Sequence, residues 1–374
     1  MRALAFAAAL MLAACNGEEV ARETAAAPPA AAGAPAIETV AEGLRFPWGL
    51  VFLPGGDMLV TEREGGVKRI TAAGQVSDVS GGPTPVLQQG QSGLTDIALD
   101  PRFAENGYVY IAFMQGTRDA NNLALYRARY ANGALTEGRV IFQASRRSGT
   151  NHPGGRMVFL PDETLLFHVG VPDDQRDNAQ DLSNHLGKVL RLTRDGAAPR
   201  DNPFVGRANA RPEIWTYGHR NAMGLARDPE TGFVWEHENG PRGGDELNRI
   251  ERGANYGWPR VTHGVEYSGA VITDVRTMEG MVDPVVVWTP STAPSGMAVY
   301  RGDAFPAWRG GVLIGFLAGN DVRIVRDGAT PQQEALNLAP GRRVRDVRVG
   351  PDGFVYVLTD YANGALLRVR PQEN

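Results

Sequence analysis

One phrase recurs six times in this chain. It is a short apolar run, a turn rich in Pro, Asp and Gly, and a second apolar run. The copies are GLVFLPGGDMLVTE (49–62), LTDIALDPRFAENGYVYIAF (94–113), GRMVFLPDETLLFHVG (155–170), MGLARDPETGFVWEHE (223–238), GMAVYRGDAFPAWRGGVLIGF (296–316) and RDVRVGPDGFVYVLTD (345–360). Each is followed by a candidate outer strand: GGVKRI, NNLALYRARY, LGKVLRL, DELNRI, DVRIV and ALLRV. A single strand–turn–strand unit cannot bury both of its faces. Recurrence at about 45–75 residues therefore points to a radial stack of small sheets. Six units predict an all-β chain folded as a six-bladed β-propeller. No long apolar stripe of helical period competes, and the 46 Gly and 25 Pro suit many tight turns. A pair of β-sandwiches is the alternative.

The beginning of the chain reads differently. Arg2 precedes an apolar run from Ala3 to Ala14, too short to span a bilayer as a mature helix. It ends at Cys15, the only cysteine, so an internal disulfide is excluded. Leu12-Ala13-Ala14-Cys15 looks like a bacterial lipobox, in which the signal is cut before a lipid-bearing Cys. A plain secretory peptide is the other reading. Asn16 after the Cys favours the outer membrane of a Gram-negative cell, with the protein facing the periplasm. Residues 16–37 are rich in Ala, Pro and Glu and read as a flexible tether. Residues 38–374 form the expected propeller domain. The formal net charge of -4 gives no reason to expect nucleic acid. Membrane contact is expected only through the lipid.

Long insertions between the third, fourth and fifth units carry unusual polar motifs, as propeller sites do where loops converge on the channel. Thr150-Asn151-His152-Pro153-Gly154-Gly155-Arg156 sets a His just before a strand, where it can take a proton near neutral pH. A lone loop His is otherwise a structural or surface group. Arg220-Asn221 offers a planar fork for carboxylates, or a turn with a surface ion pair. Arg343 and Arg345 lie two apart on a strand and so point the same way, toward one ligand or toward solvent. Gly240-Pro241, with Asp245 and Glu246 and then Asn255-Tyr256, could supply hard oxygen ligands to Ca²⁺, although the spacing is no EF-hand. His168 reads as core, His185 as a loop-orienting group and His219 as structural. His237 and His263 have no evident role, and the six His show no zinc spacing.

From about Phe46 to Val369, and most closely over YGHRNAMGLARDPETGFVWEHENGPRGGDELNRIERGANYGWP (217–259), the chain resembles the soluble pyrroloquinoline quinone (PQQ)-dependent aldose sugar dehydrogenases, the glucose/sorbosone dehydrogenase family. The resemblance implies an enzyme that oxidises the anomeric hydroxyl of aldoses to lactones. His152 matches the family's general base. Arg220 and Asn221 match the pair at the cofactor, with Arg220 stabilising charge on the quinone oxygen. Arg343 and Arg345 match the arginines that hold cofactor carboxylates. Gly240 and Pro241 match the backbone ligands of the Ca²⁺ that polarises PQQ, and Glu246 with Tyr256 a second Ca²⁺ site. Gln91, Asn151 and Tyr267 match sugar-contacting positions. Reduced cofactor would pass electrons to an acceptor that the sequence does not identify, in a monomer or a dimer.

Three departures stand out. Ala318, in Phe316-Leu317-Ala318-Gly319, occupies the place of a cofactor-binding Lys; the only lysines are Lys68 and Lys188. The family's Gly-Asp step reads Gly170-Val171-Pro172-Asp173, and Asn239 replaces a common His. A metal-assisted propeller lactonase, or a sugar- or protein-binding propeller that has lost PQQ, remain the alternatives.

Overall fold

The six phrases become six sheets. The structure, a computed structural model, describes residues 35–372, so Cys15 and almost all of the expected tether lie outside the described residues. Each sheet has four antiparallel strands, with the first strand of the phrase at one edge. These innermost strands are Pro47–Phe52, Leu94–Leu99, Gly154–Phe159, Ala222–Arg227, Pro294–Val299 and Val344–Val349. Blades 1 to 6 are numbered from them in that order. All six are bulged against their neighbour, for example between Pro47 and Leu50 and between Val344 and Asp346. A bulge bends a strand and re-aims its side chains. Here it occurs next to the channel in every blade.

The second strands are sandwiched between blades. Met58–Glu62, Leu165–Val169, Val234–Glu238, Val312–Phe316 and Val355–Thr359 are buried along their whole length. That is why they read as apolar runs rather than as alternation.

The runs expected to be outermost are third strands instead. Beyond each lies a fourth: Val76–Val79, Ala134–Gln143, Ile214–Tyr217, Val286–Trp288, Gln332–Ala335 and, in blade 6, Ala36–Leu44. Several of these edges are short and exposed, Gln332–Ala335 along its whole length. An edge strand held by backbone pairing on one side needs no apolar signature, so the sequence pattern did not mark it. Ala36–Leu44 also begins within the stretch assigned to the tether. It pairs with Gly364–Arg370, so residues from the two ends of the domain close the ring within one blade.

The channel floor is ionic. The fully buried Arg156 lies 3.0 Å from Asp346 and 3.4 Å from Asp96, donates to the Met223 and Arg345 carbonyls, and stands 4.1 Å over the Trp48 ring. One guanidinium thus touches blades 1, 2, 4 and 6 from blade 3. No helix among the described residues is long and apolar enough to cross a membrane.

Candidate active site

Loops that leave these strands converge above the Arg156 plug on a cleft of about 380 Å³. Gln91, His152, Arg220, Asn221, Gly240, Pro241, Tyr267, Arg343 and Arg345, all marked by the sequence, line it.

His152 ends the loop before blade 3 with a left-handed backbone, φ 50°. A non-glycine residue persists there only when its surroundings hold it. Its N–H donates to Gln91 Oε1 at 2.8 Å, and its carbonyl accepts from Arg147 at 2.6 Å. Gly170 packs beneath, where a Cβ would meet the His152 carbonyl at 2.2 Å. The imidazole Nδ1 is 3.0 Å from the Val171 carbonyl. A carbonyl only accepts, so Nδ1 carries the hydrogen and Nε2 keeps its lone pair. Burial, then the positive charges of Arg220 and Arg147, lower the His152 pKa to about 3 despite the Val171 carbonyl. The ring is therefore neutral at neutral pH.

Arg220 is buried beside it. Its Nε and Nη2 lie 3.1 and 2.9 Å from Asp173 Oδ1, Nη1 donates to the Asn239 carbonyl at 2.7 Å, and Nη2 reaches the Tyr267 hydroxyl at 3.4 Å. Its backbone N–H donates to Glu238 Oε2. Across the cleft, Arg343 and Arg345 share Asp360, at 2.9 and 3.0 Å. Arg63 also lines the cleft, with its guanidinium 4.3 Å over the Phe46 ring. Burial lowers the Arg63 pKa although Asp360 raises it. Four guanidiniums against the single acid in the lining make this an anion-binding cleft.

Sequence reading passed over Arg63, Asp360 and Trp48. Arg63 and Asp360 each directly follow the second strand of a blade. Asn239 occupies the same place in blade 4, so superposing the six phrases would have marked Arg63 and Asp360.

Other marked residues sit differently. Tyr267 is on the lip, 64% exposed. Asn151 is exposed and not in the lining; its carbonyl is bound by Arg147. Ala318 lies exposed in the turn after Val312–Phe316, its N–H 3.1 Å from the Thr292 carbonyl, and the neighbouring Leu317 lines the cleft instead.

At Gly240 only glycine fits, because a Cβ would meet the Gly243 carbonyl at 2.3 Å. The Gly240 and Pro241 carbonyls accept no hydrogen bond from the described residues. Asp245 organises this loop. It accepts from the N–H groups of Gly240, Thr292 and Ala293 and from the Ser291 hydroxyl. Glu246 and Tyr256 line an adjoining, water-sized cavity of about 10 Å³ with Glu238 and Thr262, which shares Arg220, Asn239 and Gly240 with the cleft. The Tyr256 hydroxyl is spent on the fold, donating to the Arg249 carbonyl at 2.6 Å and accepting from the Glu251 N–H at 2.8 Å. Only its backbone is left to serve as a ligand. His168 is buried in its strand, and His185 bridges Ser145 to Glu213.

Residues 44–368 match the family described as Glucose / Sorbosone dehydrogenase. The chain is 39% identical to the aldose sugar dehydrogenase YliI of Escherichia coli, over 90% of this chain and 93% of that one. It is 30% identical to quinoprotein glucose dehydrogenase B of Acinetobacter calcoaceticus, over 87% of this chain and 85% of that one. The PQQ-bound aldose sugar dehydrogenase of Streptomyces coelicolor superposes with a TM-score of 0.73, at 30% identity over 92% of this chain and all of that one.

Proposed function

The chain belongs to the glucose/sorbosone dehydrogenase family and is a sugar dehydrogenase, and we propose that it oxidises the anomeric hydroxyl of aldoses to lactones with PQQ and Ca²⁺. The observation that carries this reading is the meeting of a neutral imidazole, with Nε2 free, and four arginines in one cleft.

The donor set suits the cofactor. PQQ is a tricarboxylate, and Arg63, Arg343 and Arg345 stand together on one side of the cleft to receive such groups. The Asn221 and Asn239 side-chain oxygens are buried without partners, and the Gly240 and Pro241 carbonyls are unclaimed. Oxygens of this kind suit Ca²⁺. When bound, PQQ supplies the two-electron acceptor that takes hydride from the sugar.

The chain's own residues do the rest. His152 Nε2 accepts the proton of the anomeric hydroxyl. The Val171 carbonyl fixes the tautomer that makes this possible. Arg220, held by Asp173 and Asn239, places positive charge where an oxygen becomes negative. Tyr267 and Gln91 border the entry and contact the sugar. Cys15 carries the lipid that holds the mature protein at the periplasmic face of the outer membrane.

Reconstitution of the purified apoprotein with PQQ and Ca²⁺, followed by dye reduction with a panel of aldoses, tests the proposal. Turnover with at least one aldose that depends on PQQ is expected. An intact fold that binds no PQQ and reduces no dye would defeat it and favour a binding module.

A further inference from the structure

Behind Arg220, away from the cleft, the fold buries a cluster that the proposed reaction does not use. Glu236 and Glu238 lie two apart on Val234–Glu238 and so share one face of the sheet. Opposite them, in register, stand Asn248 and Glu246. His219 lies over the pair, its Nδ1 3.4 Å from Glu238 Oε1 and 4.0 Å from Glu236 Oε2. His219 and Glu236 are completely buried. Among the described residues this is the one group of three or more His, Cys, Asp or Glu whose ligand atoms all lie within 4.8 Å of one another.

Three further features point to a cation. Glu236 Oε1 and Asn248 Oδ1 are buried with no hydrogen-bond partner. No Lys or Arg among the described residues forms an ion pair with Glu236 or Glu238; His219 is the nearest basic group to both. Unpaired buried carboxylates are costly. Finally, the His219 ring is fixed from behind. Its Nε2 is 2.8 Å from Thr216 Oγ1, and its plane stacks 4.6 Å from Tyr256. A second partner on the far nitrogen is what orients a metal-binding imidazole.

We propose that His219, Glu236 and Glu238 form a buried structural site for a divalent cation of the zinc class. One imidazole nitrogen with carboxylate oxygens suits such an ion, whereas Ca²⁺ and Mg²⁺ favour oxygen throughout. Bonds of about 2.1 Å place tetrahedral ligand atoms about 3.4 Å apart, close to the spacing found. Its donor set differs from the Gly240–Pro241 carbonyls, although Glu238 and Gly240 line one small cavity. Glu238 couples it to the cleft: Oε1 faces His219 while Oε2 accepts the Arg220 N–H. The ion thereby fixes the backbone from which Arg220 projects.

The test uses full-length protein stripped with EDTA. Added Co²⁺ should bind at one equivalent, give the visible bands of a four-coordinate nitrogen/oxygen site and be displaced by Zn²⁺. Zn²⁺ should raise Tm. Glu236→Gln should weaken Zn²⁺ binding at least about tenfold; where that variant does not fold, His219→Gln carries the same expectation. Absence of both the bands and the Tm shift in the parent would overturn the site, leaving a cluster that shares protons. Equal Zn²⁺ affinity in parent and variant would do the same. Displacement of Co²⁺ by equimolar Ca²⁺ would overturn the class of ion.

Discussion

Asp173 grips Arg220 through both Nε and Nη2, and its other oxygen lies 3.9 Å from His152 Nε2. One carboxylate thus stands between the arginine and the imidazole of the cleft. It reaches them although Val171 and Pro172 intervene between Gly170 and Asp173. The 3₁₀ turn Asp173–Gln180 starts at that residue.

Asp173→Asn keeps the shape and removes the charge. A charge-assisted hydrogen bond is worth about 1.5–3 kcal/mol, so kcat/KM should fall roughly ten- to a hundredfold. Steady-state kinetics on the PQQ-loaded variant would read this. Unchanged kcat/KM with an intact fold would remove Asp173 from any positioning role.

His152→Ala should bind PQQ as the parent does and lose most turnover, by about 10²–10⁴-fold. A PQQ titration and a kcat measurement on the same sample separate the two effects. Near-parental kcat would rule His152 out as the base.

The pH profile should lack an ordinary histidine limb. His152 is held neutral down to about pH 3, and protonation would abolish the base. Activity per folded molecule should therefore stay flat as the pH falls through about 6.5, the ordinary His value. An inflection there would contradict the buried, neutral assignment. Stability follows the opposite limb of the same linkage. The unfolded imidazole takes up a proton below about 6.5 and the folded one does not, so the stability tied to His152 is complete above that pH and is lost as the pH falls toward 3.

Ala318→Lys should tighten PQQ binding by roughly ten- to a hundredfold, the worth of one added charge-assisted bond. Ala318 is exposed beside the cleft, so the longer side chain meets no core. Titration of PQQ into Ca²⁺-loaded apoprotein measures it. Equal affinity in parent and variant would show that the turn does not direct a side chain at the cofactor.

Cys15→Ala should release the mature protein from the membrane fraction. Fractionation with mass spectrometry of the N-terminus checks this. Parent and variant that fractionate alike, with no lipid on either, would refute the anchor.

The sequence by itself determined the blade count, because six copies of an apolar strand pair can bury their faces only against one another. It also marked His152, Arg220, Arg343 and Arg345, through their match to the motif positions of the family it resembles, since a loop His and an Arg pair on a strand each have an ordinary structural reading as well. It did not mark the fourth strands. Gln332–Ala335 and Ala36–Leu44 are held by backbone pairing at an edge, and pairing leaves no trace in side-chain pattern. Nor did it bring Arg63 beside Arg345, Asp173 beside Arg220, or His219 over Glu236 and Glu238. Those partners are far apart or irregularly spaced along the chain, and closure of the ring sets their distances. Tertiary structure likewise decided protonation: burial and neighbouring charge make His152 a neutral base and leave Glu236 without a counter-ion, and neither property belongs to the residue type.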